Sequence, residues 1–457
     1  MSRIETFNPA TAEKLTSYDT MSESEAFAKI DACHAAFLDW RKKTHEERAP
    51  YLKAIAEKLR EHQDELADLM TREMGKLRSS GGDEIALCAA LFDYSADQGP
   101  SKLADEQRDL GNGQKGLITY QPIGVIYSVQ PWNFPFYQPV RVLAAALIAG
   151  NGCVLKHASI SSGSALRLRE ICIEAGLPED LFQVLLIDHD TSDKVITHDK
   201  VRGVTMTGSD KAGAHIGTKA AAALKKTVLE LGSNDAYLVL GDADIETAVK
   251  FSVQGRLYNN GQTCVNAKRF IVAEKVYDAF VPAFVEAMKN IDMGDPMKDS
   301  TQLGPLSSLE QRDKVADQVR ESVKNGAEIL CGGEVPDREG AYYPATVLAN
   351  VTPGMPAYDD EIFGPVASVI RAKDDEDAMR IANDSRYGLG GGIFSQDEER
   401  AVELAKKYFD TGMVRINSFG AAHPDMPFGG VKNSGYGREH GGFGMHEFVN
   451  AKAIFRP

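Results

Sequence analysis

The chain has 457 residues, too long for one ordinary domain and long enough to bury two or three cores. Hydrophobic residues make up 43% and charged residues 26%, the balance of a soluble globular protein. Lysine and arginine number 51 against 66 aspartates and glutamates, a net charge of −15, which argues against sequence-independent nucleic-acid binding because such binding neutralises phosphates. Met1 to Ser22 is polar and lacks the apolar core of a signal peptide. The apolar run Val142 to Gly150 is far short of a membrane span. The six cysteines show no C-x-x-C spacing, which argues against a zinc knuckle or a secreted disulfide scaffold. The ten histidines form no clustered ligand set, so no metal is expected. A cytoplasmic protein without membrane or nucleic-acid partners is the simplest expectation.

In chain order, a short extended start leads into helices. Ser22 with Glu25 is a capping-box pattern, followed by an apolar face of Ala26, Ile30, Ala35 and Phe37. A second helical stretch is expected from about Glu47 to Met74, interrupted early by Pro50. After Ile118 short apolar strands alternate with helices. Strands are expected at Gly124–Gln130, Gly152–Lys156, Phe182–Ile187, Gly203–Thr207 and Thr227–Leu231, with helices at Tyr137–Ala149 and Ser164–Ala175. A second series follows at Tyr237–Leu240, Phe270–Ala273, Val366–Ala372, Gly391–Phe394 and Val414–Asn417. Strand, helix, strand at this spacing is the texture of doubly wound parallel sheets, so two α/β units are expected, with a boundary near residues 231–240. Lys115–Gln121 and Ala453–Phe455 fall outside both series. Neither makes a sheet alone, and pairing with another subunit is expected for them.

Six segments carry the chemistry. Asn259-Asn260-Gly261-Gln262-Thr263-Cys264-Val265-Asn266 presents a cysteine after a Gly-Gln turn, although a single cysteine is more often a small buried hydrophobe. Leu229-Glu230-Leu231-Gly232 puts a glutamate at a strand end, where site residues gather in α/β sheets and where a solvated terminus is the plainer reading. Gln130-Pro131-Trp132-Asn133-Phe134-Pro135 is a rigid loop whose Asn133 amide can donate hydrogen bonds, or simply cap a turn. Thr207-Gly208-Ser209 opens a helix after a strand, a place where backbone N–H groups can face phosphate, but it is not G-x-G-x-x-G. Glu361-Ile362-Phe363-Gly364-Pro365 and Pro427-Phe428-Gly429-Gly430-Val431-Lys432, continuing to Gly437-Arg438-Glu439, complete the set.

In this order the segments resemble the aldehyde dehydrogenase superfamily over nearly the whole chain, and within it the bacterial succinate-semialdehyde dehydrogenases. The resemblance implies an α/β fold with two doubly wound parallel-sheet domains and a small β oligomerisation element. Residues 1–103 and 123–230 would form a Rossmann-like cofactor domain and 231–435 the catalytic domain. Residues 104–122 and 445–457 would supply oligomerisation strands of a homodimer or homotetramer. It implies Cys264 as the nucleophile on an aldehyde. Asn133 and the Cys264 N–H would hold the oxyanion, where one lost donor costs roughly 3 kcal/mol. Glu230 would be the base that hydrolyses the thioester, usually worth about 10²- to 10⁴-fold. A glutamate at that position favours a free acid over an acyl-CoA.

For the cofactor, the resemblance puts Lys156 on the adenosine ribose, Gly208 and Ser209 at the pyrophosphate, and Glu361 on the nicotinamide ribose, with Trp132 and Phe363 alongside. Strongly NAD-selective relatives often carry glutamate where Ser159 stands, so NADP or NAD is expected, with NADP accepted. Arg141, eight residues after Asn133, is the expected partner of a substrate carboxylate; an exposed face or a structural salt bridge is its alternative. Tyr258 stands where a second arginine is used in animal members, and His423 is the nearest polar residue where a serine helps. Succinate semialdehyde is the expected substrate, with another small polar or aromatic aldehyde the competitor. Asn266 replaces a second cysteine, so no redox-switch disulfide is expected. A cysteine hydrolase using His423 or His440, and a non-catalytic relative, are the readings from other classes.

Overall fold

The computed structural model describes residues 3–420 and 422–457. The extended start is an antiparallel hairpin of Arg3–Phe7 and Lys14–Asp19. Helices Glu23–Trp40, His45–Glu61, Gln63–Met74 and Arg78–Lys102 follow. Ser22 with Glu25 and Thr44 with Glu47 both form complete capping boxes. Pro50 does not interrupt the second helix, contrary to expectation; it lies near the N-terminal end, and the break comes at His62. The N–H that proline lacks would have bonded only to a first-turn carbonyl, so little of the ladder is lost.

The first large sheet has six strands, in the order Gly435–Tyr436, Lys226–Glu230, Val201–Thr207, Val125–Gln130, Gly152–His157 and Phe182–Val184. All pairs are parallel except the first, where Gly435 lies opposite Glu230. From Val125–Gln130 the chain winds one way to Gly152–His157 and then returns to the other side at Val201–Thr207. This is a topological switch point, and it brings the loops after Gln130 and after Thr207 side by side at the carboxyl edge. Helices His45–Glu61 and Arg78–Lys102 pack on one face through Leu59 and Phe92, while Ala26 and Ile30 of the first helix join Tyr127, Val204 and Ile216 in the core on the other.

The second sheet has seven strands, in the order Glu328–Cys331, Thr346–Ala349, Val366–Ala372, Arg269–Ala273, Ala236–Val239, Gly391–Phe394 and Arg415–Ile416. Only the Glu328–Cys331 pairing is antiparallel. Residues 231–235 run from the carboxyl end of a first-sheet strand to the amino end of a second-sheet strand. The two sheets therefore meet end to end, and Gly435–Tyr436 returns the chain to the first sheet after the second is complete.

The expected orphan strands are longer than their apolar texture suggested. Val449–Arg456, Gln114–Pro122 and Glu106–Gly111 form a three-stranded antiparallel sheet within this one chain. A partner subunit is thus not needed to satisfy Gln114–Pro122, which has a neighbour on each side.

Candidate active site

The switch-point loops and the second unit enclose a cavity of about 380 Å³. Trp132, Asn133, Gly208 and Ser209 line it from the first sheet, and Cys264, Glu361 and Phe363 from the second unit. The Trp132 and Phe363 rings meet edge to face, with centroids 5.6 Å apart, and join the two walls. An adjoining cavity shares Trp132, Gln311, Lys314 and Gln318 and contains Ser159, which is exposed there. Lys156, Glu230, Arg141, Tyr258 and His423 do not line either space.

The loop that leads to Cys264 is held in a strained shape. Asn259, Asn260 and Gly261 have φ of 54°, 56° and 78°. A Cβ on Gly261 would sit 2.3 Å from the Gly364 carbonyl carbon, so the Glu-Ile-Phe-Gly-Pro segment requires this glycine. Side-chain amides hold the two asparagines in place. Asn260 Nδ2 donates to Gly75 O and Pro305 O, and Asn259 Nδ2 donates to Asn133 O at 2.7 Å. Asn133 Nδ2 donates to Gln262 O at 3.1 Å, which ties the Asn133 and Cys264 loops together and leaves its second proton available. Cys264 is partly exposed on the cavity wall. Enclosure by protein pushes its thiol up to about 12, opposed by the Arg141 and Lys268 cations.

Glu230 is buried behind this wall, and neither carboxyl oxygen has a hydrogen-bond partner among the described residues. A Cβ on Gly429 would lie 2.7 Å from Glu230 Oε1, which explains a glycine in the Pro-Phe-Gly-Gly segment. Burial, and then the neighbouring Glu439, hold the Glu230 carboxyl well above its usual range, against the pull of Arg141 and Arg438.

Arg141 differs from the expectation of a free cation for substrate. Its side chain is 0% exposed and pairs through Nε with the Glu439 carboxylate, while Nη2 donates to Thr207 Oγ1 at 2.8 Å. An arginine in so apolar a helix needs a counter-charge, and Glu439 supplies it. Nη1 has no hydrogen-bond partner among the described residues. Tyr258 packs its ring against Phe134 and Phe419, where an arginine would lose its solvation. His423 is exposed, and its Nδ1 accepts the Asp425 N–H at 3.3 Å, so the ring serves its own loop. Ala421 of that loop lies outside the described residues. Asn266 Nδ2 donates to Tyr258 O at 3.0 Å, a structural task at the place of the missing second cysteine. His440 bonds Tyr137 Oη, and burial lowers its pKa to about 3, a poor partner for a hydrolase thiol.

Several residues of the site carry no motif signal. Lys268 lies beneath the nucleophile loop and pairs with Glu361 at 3.1 Å; its cue was a charged Lys-Arg pair opening an apolar strand. Asp235 accepts the Gly390 N–H at 3.0 Å, and burial lifts its carboxyl to about 6. Glu84 accepts the Phe136 and Tyr137 N–H groups at 2.9 Å each, capping the helix that follows Asn133.

The family model described as the aldehyde dehydrogenase family matches residues 1–454. The chain is 42% identical to a protein of Mycolicibacterium paratuberculosis named succinate-semialdehyde dehydrogenase (NADP(+)), covering 99% of this chain and 96% of that one. It is also 42% identical to the succinate semialdehyde dehydrogenase (NAD(P)+) Sad of Escherichia coli, over 98% and 97% of the two chains. The structure of succinic semialdehyde dehydrogenase from Streptococcus pyogenes in complex with NADP+ superposes with a TM-score of 0.97 at 41% identity, covering 99% of this chain and all of that one. Fold, full-length coverage and the meeting of five of the six segments at one cavity lead to one conclusion: the chain belongs to the aldehyde dehydrogenase family.

Proposed function

We propose that this aldehyde dehydrogenase oxidises succinate semialdehyde to succinate, accepts NADP, and releases the free acid. The observation that carries the reading is the convergence on one cavity of the Cys264 thiol, the Asn133 amide and the Glu361 carboxylate, with the unpartnered Glu230 carboxyl behind it. The names of the relatives in M. paratuberculosis and E. coli support the substrate. Arg141 Nη1 is a buried donor without a partner among the described residues, although Arg141 does not line the cavity.

The residues fit a nicotinamide dinucleotide. The helix Asp210–Ala222 presents its N-terminus, with Ser209 at the cap, to the cavity. The two neighbouring helix starts are already covered, one by Glu84 and one by Glu73, which accepts the Gly163 and Ser164 N–H groups. In this reading Gly208 and Ser209 hold the pyrophosphate, Glu361 the nicotinamide ribose, Lys156 the adenosine ribose, and Trp132 and Phe363 flank the ring. The absence of a carboxylate at Ser159 supports acceptance of a 2′-phosphate. The adjoining cavity also carries Glu310, Asp313 and Asp317 beside Lys314, so NAD is the comparison to make.

The chemistry follows from the chain's own groups. Cys264, partly exposed, gives up its proton to solvent water, and as its sulfur bonds to the aldehyde carbon the carbonyl π pair moves to oxygen. Asn133 Nδ2 and the Cys264 N–H hold the resulting oxyanion. A bound dinucleotide would supply the hydride acceptor, and collapse of the oxyanion would leave the acyl group on the Cys264 sulfur as a thioester. Glu230 takes a proton from water as the water oxygen bonds to the acyl carbon. The carbon–sulfur bond then breaks, releasing the acid and the thiolate.

A second reading, another small polar or aromatic aldehyde, is favoured by the neutralisation of Arg141 by Glu439 and by the aromatic contacts of Tyr258. Steady-state kinetics over an aldehyde panel with both cofactors tests the two. Succinate semialdehyde is expected to give the highest kcat/KM, with NADP at least as effective as NAD. A tenfold preference for an uncharged aldehyde would overturn the substrate, and a tenfold preference for NAD the cofactor.

We also infer a homodimer or dimer of dimers. The edge strand Val449–Arg456 supports this, since it carries Ile454 and Phe455 39% and 76% exposed. Six free cysteines suit a reducing, cytoplasmic setting.

A further inference from the structure

Lys268 lies four residues after Cys264, just before the strand Arg269–Ala273, and its side chain is 3% exposed. Its Nζ donates to Thr263 O at 3.1 Å, Cys264 O at 2.5 Å and Ser233 Oγ at 2.8 Å, and pairs with Glu361 Oε1 at 3.1 Å. Ser233 Oγ in turn donates to Cys264 O. An ammonium has three protons, so this one is fully engaged, largely by the nucleophile loop. The adjacent Arg269 does different work: its guanidinium binds the Asn234, Ile381 and Ala382 carbonyls, away from the loop.

The direction of these bonds matters. The peptide between Thr263 and Cys264 is trans and planar, so its C=O and N–H point to opposite sides. With Thr263 O drawn to Lys268, the Cys264 N–H faces away from the lysine. Among the described residues that N–H has no acceptor. A cation on the carbonyl also polarises the amide and makes its N–H a stronger donor. We propose that Lys268 is a positioning residue that aims and polarises the Cys264 N–H toward the thiohemiacetal oxyanion. This rests on Cys264 being the nucleophile.

The experiment compares Lys268→Met with wild type in two reactions of the same sulfur. Single-turnover NADPH formation passes through an oxyanion. Alkylation of Cys264 by iodoacetamide, mapped to that residue and followed across pH, does not. Lys268→Met is expected to slow NADPH formation by about 100-fold, as for removal of an oxyanion donor. Alkylation, compared at equal thiolate fraction, is expected to change less than about threefold, since no oxyanion forms. Lys268→Arg keeps the cation for Glu361 and is expected to recover part of the loss. Equal losses in both reactions would overturn the proposal, because Lys268 would then act on the thiol. NADPH formation within about threefold of wild type would also overturn it. Should Lys268→Met fail to fold, Lys268→Arg decides on the same ratio: hydride formation slowed several-fold more than alkylation supports the role, and parallel changes refute it. Cys264→Ser separates the underlying reading, since retained oxidation there would remove the nucleophile itself.

Discussion

The helical brace around Glu84 and the strand end around Glu230 each bury a glutamate to 2% exposure, and the surroundings treat the two in opposite ways. Glu84 Oε1 accepts two backbone N–H groups, and Oε2 meets the equally buried Lys76 ammonium at 2.7 Å. Lys76 also sits 3.7 Å from the centre of the Phe134 ring, next to Asn133 in sequence. Glu230 has no hydrogen-bond partner among the described residues and a second carboxylate nearby. A satisfied buried charge holds a loop in place; an unsatisfied one raises its own pKa and keeps its lone pairs free for water. Glu84 thus braces the segment that follows Asn133, and Glu230 is the carboxyl proposed to act beside it.

The contrast breaks most sharply when the Glu230 carboxyl is replaced by an amide. Glu230→Gln is expected to lower steady-state kcat by about 10²- to 10⁴-fold while leaving a burst of NADPH equal to the enzyme concentration, seen by stopped-flow absorbance. Loss of the burst itself would move Glu230 to the activation of the thiol. The opposite profile is expected at Glu84. Glu84→Ala strands the Lys76 ammonium and is expected to cost roughly 3–5 kcal/mol in urea unfolding, with a smaller effect on kcat per folded molecule. Equal stability of Glu84→Ala and wild type would refute the brace.

The smallest effect is a pH dependence of stability. The folded pKa of Glu230 is raised, so the folded state holds a proton that the unfolded chain has already released. Stability attributable to this group therefore falls as pH rises from the ordinary glutamate value of about 4.3 toward the raised one. Thermal melts of Glu230→Gln are expected to lack that part of the decline, and the variant to gain on wild type as pH rises. Parallel melting curves from pH 5 to 9 would mean that Glu230 is not desolvated.

The local parts of the site were legible because each is encoded within a few residues. Cys264, Asn133 and Glu361 stand in segments whose turns and glycines are contiguous, and the helix Tyr137–Ala149 is found at its expected bounds. What could not be read is pairing across the chain. Glu84 caps a helix start 52 residues away, and Glu439 neutralises Arg141 from the far end of the sequence. No local pattern announces either. The strands Glu328–Cys331 and Thr346–Ala349 were missed although Gly391–Phe394, of the same length, was found; the first is an edge strand whose Glu328 and Ile329 are exposed, so its texture is not that of a buried strand. The catalytic domain was expected to run to residue 435, yet Gly435–Tyr436 closes the edge of the first sheet, a return that two residues without alternation do not announce.

That returning strand bears on how the protein is made. The edge at Lys226–Glu230 waits, during synthesis, for about 200 further residues before Gly435 and Tyr436 reach it. At roughly 5–20 residues per second this is an interval of about 10–40 s in which an unpaired edge is exposed on the nascent chain. Gly429 and Arg438, which shape the surroundings of Glu230, arrive in the same late stretch. The surroundings of Glu230 are therefore the last part of the site to be assembled, and a ribosome-stalled or clipped chain would carry the Cys264 thiol before it carried the groups that enclose the proposed base.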